Sequence, residues 1–123
     1  MPLEHDELTG QIIGAAIAVH EALGPGFLEA IYEEALAVEL RLRGIAFTRQ
    51  HSATVLYRGV EVGIHRLDFF VEDLIVVELK AIKAIDKVHF AVVRSYFRAV
   101  GRKHGLILNF ALARLQPKRV ILE

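Results

Sequence analysis

The 123-residue chain has no cysteine, which excludes disulfides, thiolate nucleophiles and cysteine-ligated zinc. No apolar run approaches the roughly 20 residues needed to cross a bilayer. Nor does the chain open with the basic region and long apolar stretch of a secretory signal. The expectation is a cytoplasmic protein with no membrane association. Lys and Arg are missing from residues 1–40, which carry eight acidic side chains; residues 41–123 carry fifteen basic and seven acidic ones. The formal net charge of zero therefore hides a segregation. A neutral total argues against indiscriminate coating of nucleic acid, yet the basic remainder leaves room for a basic surface around an acidic pocket. With equal weight, the asymmetry serves only to dock the N-terminal helices on the rest.

Repeats, low-complexity tracts and long linkers are also absent. At this length, and 54% hydrophobic, residues 1–123 are expected to form one domain with a core that needs no staples. The six histidines show no zinc-ligand spacing, and no Ser/His/Asp relationship stands out. Gly24 and Gly26 lie between helices, not in the strand–loop–helix setting that cradles phosphates.

Apolar residues at three- and four-residue intervals predict a helix over Leu8–Leu23, capped by Asp6 or Thr9 and stopped by Gly24-Pro25-Gly26. A second helix is expected from about Phe27 to Leu42, with Glu29, Glu33 and Glu34 in its early turns and Gly44 as its C-cap. Ile45–Tyr57 reads as a strand, Arg58-Gly59 as a turn, and Val60–Ile64 as the approach to a hairpin. Asp86 caps a helix from Lys87 to about Val100, ended by Gly101. Gly105–Leu112 has the length and apolarity of a buried parallel strand, and Val120–Leu122 of a short edge strand. This order gives an α/β fold, a mixed sheet covered by helices.

At its centre lies Arg66–Lys80, two β-branched and aromatic runs flanking Glu72-Asp73. Into them the sequence places Asp68, Glu78 and Lys80, charges that need solvent, partners or a metal. Alternation puts Glu78 and Lys80 on one face. A two-residue loop would set Asp68 opposite Val77; a three-residue loop centred on Asp73 sets it opposite Glu78. Paired carboxylates thus require an odd-numbered loop or a bulge.

Such a pair offers hard oxygen ligands for Mg²⁺ or Mn²⁺, with the Leu79 carbonyl as a further donor. Lys80 would orient water or stabilise charge on a phosphoryl oxygen, and Glu29 could reach the same pocket from its helix. The competing reading is an exposed charged ladder on a half-wet sheet. Arg94, Arg98 and Arg102 recur every four residues, a stripe suited to a phosphate backbone or simply to solvent. His20 either supports Glu29 or makes a local hydrogen bond at its helix end.

The segment Gly26-Phe27-Leu28-Glu29-Ala30-Ile31-Tyr32, followed by Asp68 and by Glu78-Leu79-Lys80, resembles the GxxExxY proteins of the PD-(D/E)XK nuclease-like superfamily. The likeness runs from the first Gly-Pro-Gly turn through Tyr57-Arg58-Gly59 to Gly105–Phe110. It implies a restriction-endonuclease-like mixed β-sheet flanked by α-helices and a Mg²⁺-dependent phosphodiesterase site. By position, Asp68 and Glu78 would be metal ligands, Lys80 the catalytic lysine and Glu29 the acid from the preceding helix. Tyr32 would hydrogen-bond a phosphate or pack with its hydroxyl satisfied. Tyr96 matches the tyrosine of a QxxxY element, but Val92 stands where the glutamine is expected and cannot donate a hydrogen bond. The partner implied is DNA. A noncatalytic module that binds nucleic acid, a protein or a second copy of itself is the alternative.

Overall fold

The computed structural model describes residues 4–122. Helices α1 (Asp6–Leu23) and α2 (Glu29–Leu42) come first, followed by strands β1 (Phe47–Tyr57), β2 (Val60–Val71) and β3 (Ile75–Lys80). Helix α3 (Lys87–Val100) then leads to β4 (His104–Asn109) and β5 (Gln116–Ile121). The five strands form one sheet in the order β1-β2-β3-β4-β5. Every neighbouring pair is antiparallel except β3 and β4, which run parallel across the α3 crossover. The expected mixed sheet between helices is what forms.

Two cores account for the layering. On one face, Ile12, Ala16, Leu36 and Leu40 of α1 and α2 pack on Val77, Leu79 and Leu108. On the other, Val93 and Phe97 of α3 pack on Val76 and Ile107. Strands covered on both faces cannot alternate apolar with polar residues. All six residues of β4 and five of six in β3 are accordingly buried. Gly105 is required by this closeness: a Cβ there would stand 2.8 Å from both the Val76 carbonyl and the Phe97 ring. Among the described residues, no helix is long and apolar enough to cross a membrane.

Several boundaries differ from those expected. Helix α1 begins at Asp6 with no side-chain cap, and His5 precedes it in the left-handed region at φ 59°. Helix α2 starts at Glu29 rather than Phe27, because Leu28 is extended at φ −69° and ψ 152°, and the Phe27 amide donates to the Tyr32 hydroxyl. Strand β4 stops at Asn109 rather than Leu112. There the Asn109 side chain bonds the amides of Ile82 and Ala111 and the Ile82 carbonyl, which turns the chain away. The final strand is correspondingly longer than the expected Val120–Leu122.

The central hairpin has the odd-numbered loop. Val71 pairs with Ile75, Phe70 with Val76 and Phe69 with Val77, leaving Glu72, Asp73 and Leu74 between the strands. Both Glu72 and Asp73 take positive φ, near 54–55°. Continued by one residue, this register sets Asp68 opposite Glu78.

Simple alternation nevertheless fails at Asp68. Leu67 belongs to the α3 core while Phe69, two residues on, belongs to the α1/α2 core. The paired strand does the same at Gln50, which adopts φ 49°. Arg49 before it reaches α2 acids, whereas His51 after it lies on Phe70 and Ala53 joins the α3 core. Both strands therefore change faces at one level of the sheet. Beyond that level, the hairpin exposes Leu56, Tyr57, Val60, Val62 and Ile64.

Candidate active site

The β2–β3 ladder stops at Phe69 and Val77, and Asp68 fills the opening. Its Oδ2 accepts the Leu79 amide at 2.8 Å, replacing the backbone bond that the separating strand no longer supplies. The Gln50 amide lies 3.5 Å from Oδ1 and donates at 2.7 Å to Glu33 Oε1, which ties Asp68 to α2. Glu33 is held from its other oxygen by Arg49, which also bonds Glu34. A backbone N–H and C=O of one strand residue point to the same edge. Lys80 accepts from the Phe110 amide on the β4 side, so Leu79 directs its carbonyl to the β2 side, toward Asp68.

Glu78 faces the α3 side, in step with Val76, and only 7% of it is exposed. Burial pushes its carboxyl up to about 9; the adjoining Asp68 carboxyl and, more weakly, Glu29 add to the shift, while Lys80 opposes it. Its Oε2 is buried with no hydrogen-bond partner among the described residues. An unpartnered carboxylate oxygen beside a second carboxylate is not a solvated surface ladder. Tyr96 of α3 closes this side, its hydroxyl pushed up to about 12 by burial and by the charges of Glu78 and Asp68.

Asp68, Glu78 and Tyr96 thus adjoin toward the C-terminal end of β3, with Lys80 and Glu29, exposed at the first turn of α2, close enough to act on Glu78 through their charges. Tyr32 does not join them. It is fully buried, stacked on Phe110 at 4.5 Å, and its hydroxyl donates to the Gly24 carbonyl at 2.6 Å. The tyrosine of the Gly26–Tyr32 segment closes the interhelical turn and leaves no surface for a phosphate. The His20 ring is engaged by Leu112, whose carbonyl accepts from its Nε2 at 2.9 Å.

The arginine stripe is shorter than its periodicity. Arg94 lies over the Phe90 ring, and Arg98 lines a cavity of about 330 Å³ with Thr54, His65 and Ser95. Arg102 falls beyond the helix, where Gly101 turns left-handed at φ 69°; its Nε donates to the Asp73 carbonyl at the opposite end of the sheet. Two residues went unread in the sequence. Gln50 had no signal, because nothing local marks a left-handed glutamine. His65, whose ring meets Tyr96 at 4.6 Å, sits on β2 three residues before Asp68, and only the change of faces brings it under α3.

Among the described residues, the group of three that could together hold a metal ion is another one, Glu4, His5 and His104, whose ligand atoms lie within 4.8 Å of one another. His104 pairs with Ile75, and Glu78 is three residues further along β3, about 10 Å by strand rise.

A mixed sheet between helices, parting at an aspartate opposite Glu-Leu-Lys, defines a nuclease-like class of site. Residues 6–120 match the family model described as the PD-(D/E)XK nuclease superfamily, and the chain belongs to that superfamily. The comparisons with curated proteins and with solved structures return no match.

Proposed function

We propose that the chain is a Mg²⁺- or Mn²⁺-dependent phosphodiesterase acting on DNA. The observation that carries this reading is the buried, unpartnered Oε2 of Glu78 beside Asp68, in a PD-(D/E)XK chain. Two carboxylates and a strand carbonyl are hard oxygen donors, a set that fits a small divalent cation. Asp68, Glu78 and the Leu79 carbonyl would hold the ion, with Glu29 as a further ligand, directly or through water. Bound there, it would polarise the phosphoryl oxygen and acidify water.

The chain's own residues supply the remainder. Gln50 and the Leu79 amide fix Asp68 from two sides. Lys80 places a cation where charge develops on the phosphoryl oxygens and orients the attacking water. Water adds to phosphorus, the bond to the leaving oxygen breaks, and that oxygen takes up a proton. Arg94 and Arg98, one helical turn apart on α3, would give that helix a basic edge suited to the DNA backbone. A cytoplasmic location is part of this reading.

A noncatalytic nuclease-fold module, binding nucleic acid, a protein or a second copy, is favoured by one feature. Val92 supplies no donor from α3 to the acidic pair. Cleavage of labelled duplex, single-stranded, branched and nicked DNA with Mg²⁺ or Mn²⁺ separates the two. The enzyme reading expects metal-dependent cleavage that falls about 10²–10³-fold in Lys80→Ala and to background in Asp68→Asn/Glu78→Gln. Folded native protein without cleavage on any substrate, or cleavage unchanged in the variants, overturns it.

A further inference from the structure

We infer that Glu4, His5 and His104 form a second metal site, for Zn²⁺ or a similar borderline transition ion, at the end of the sheet away from Asp68 and Glu78. Nothing in the local sequence suggests it, because His104 lies 99 residues beyond His5. The fold brings them together: His104 opens β4 between Ile75 and Ile121, and α1 starts beside it.

With one ligand atom from each residue the set lies within 4.8 Å, a spread that an ion would draw in toward the spacing of its ligands. Glu4 Oε1 is 3.7 Å from His5 Nε2, and Glu4 Oε2 is 3.6 Å from His104 Nε2. Both are too long for hydrogen bonds, which would close to about 2.8 Å. Tetrahedral zinc, with bonds near 2.0–2.1 Å, spaces its ligand atoms about 3.3 Å apart. The two imidazoles meet edge to face at 5.1 Å.

The surroundings hold this arrangement in place. His104 is nine-tenths buried, and the ring nitrogen it turns toward Glu4 is Nε2, while its Nδ1 has no hydrogen-bond partner among the described residues. His5 keeps its ring there from a left-handed backbone, unfavourable for any residue with a Cβ. Arg119 fixes the turn before α1 by donating to the Glu4 carbonyl at 2.6 Å and to Asp6 at 2.7 Å. A cavity of about 410 Å³ beside the three ligands leaves room for a water or an exogenous ligand as the fourth.

Donor chemistry separates the two sites. Two imidazoles and one carboxylate select zinc, cobalt or nickel over magnesium, whereas the all-oxygen set at Glu78 selects magnesium or manganese. With two anchors on α1's leading segment and one on β4, the ion would fasten the start of the chain to the central sheet.

Calorimetric titration of tag-free, metal-stripped protein with ZnCl₂, alongside thermal unfolding, tests this. One Zn²⁺ per chain is expected to bind at micromolar or tighter Kd and to raise Tm. The affinity should drop at least tenfold in both His5→Ala and Glu4→Gln, which avoid the buried ring, and persist in Asp68→Asn/Glu78→Gln. Mg²⁺ should not compete. Failure of Zn²⁺ to bind below millimolar concentration, unchanged binding in His5→Ala and Glu4→Gln, or loss confined to the Asp68/Glu78 variant overturns the assignment. None of these readouts depends on DNA cleavage.

Discussion

Glu78 couples stability to the proposed function at a single carboxyl. In the folded chain, burial holds its proton up to about pH 9, while an unfolded glutamate releases it near 4.5. Between those values the folded state binds the extra proton, so stability falls as pH rises from about 5 toward 9. Glu78→Gln keeps the shape and removes the ionisation. In EDTA the variant should gain on the native protein as pH rises from about 5 toward 9, by roughly 1.4 kcal/mol for each pH unit, as read by urea denaturation. A parallel pH dependence of the two proteins would show that Glu78 ionises freely. Removing this carboxyl trades the proposed chemistry for stability, the expected relation where a buried charge serves a site. Tyr32 illustrates the opposite assignment. Its place in Gly26–Tyr32 was legible, but its partners were not, because a hydroxyl that closes a turn and one that binds phosphate leave the same letter in the sequence.

At the scale of elements, parity was the informative signal. Counting residues across Glu72-Asp73 separates a loop that pairs Asp68 with Glu78 from one that does not, and the register is the pairing one. The simultaneous change of faces at Gln50 and Asp68 could not be counted. It follows from a left-handed glutamine and from helices approaching opposite sides of one hairpin, and neither leaves a local pattern. Arg102 is different, since Gly101 already marked the helix end and a four-residue spacing cannot continue through a left-handed glycine. The α3–β4 contact gives the prediction at this scale. Gly105→Ala would press a methyl against the Val76 carbonyl and the Phe97 ring, atoms held by the ladder and the core. A loss of about 1–3 kcal/mol is expected by chemical denaturation, with Tyr96 displaced along with α3. A loss under 0.5 kcal/mol would show that β4 and α3 are less tightly seated than described.

For the whole molecule, the segregated charges resolve into two populations. Part of the basic excess docks the acidic helices: Arg49 on Glu33 and Glu34, and Arg119 on Asp6, whereas Arg43 pairs with Glu39 at the end of its own helix. The helix-docking explanation of the asymmetry applies to Arg49 and Arg119. Arg98 and Arg102 were indistinguishable by spacing, but one lines the cavity on the α3 side and the other clamps the hairpin loop. If DNA lies along α3, Arg98→Ala should weaken binding by about three- to tenfold, with little regard to sequence, and reduce the salt slope of log Kd by about one. Arg102→Ala should leave both quantities unchanged. Fluorescence anisotropy with a labelled duplex over 50–200 mM salt, in Ca²⁺ to prevent cleavage, measures both. Equal effects from the two substitutions would mean that DNA senses only total charge; an effect from Arg102 alone would place the nucleic acid at the Glu4–His104 end and remove α3 from the interface.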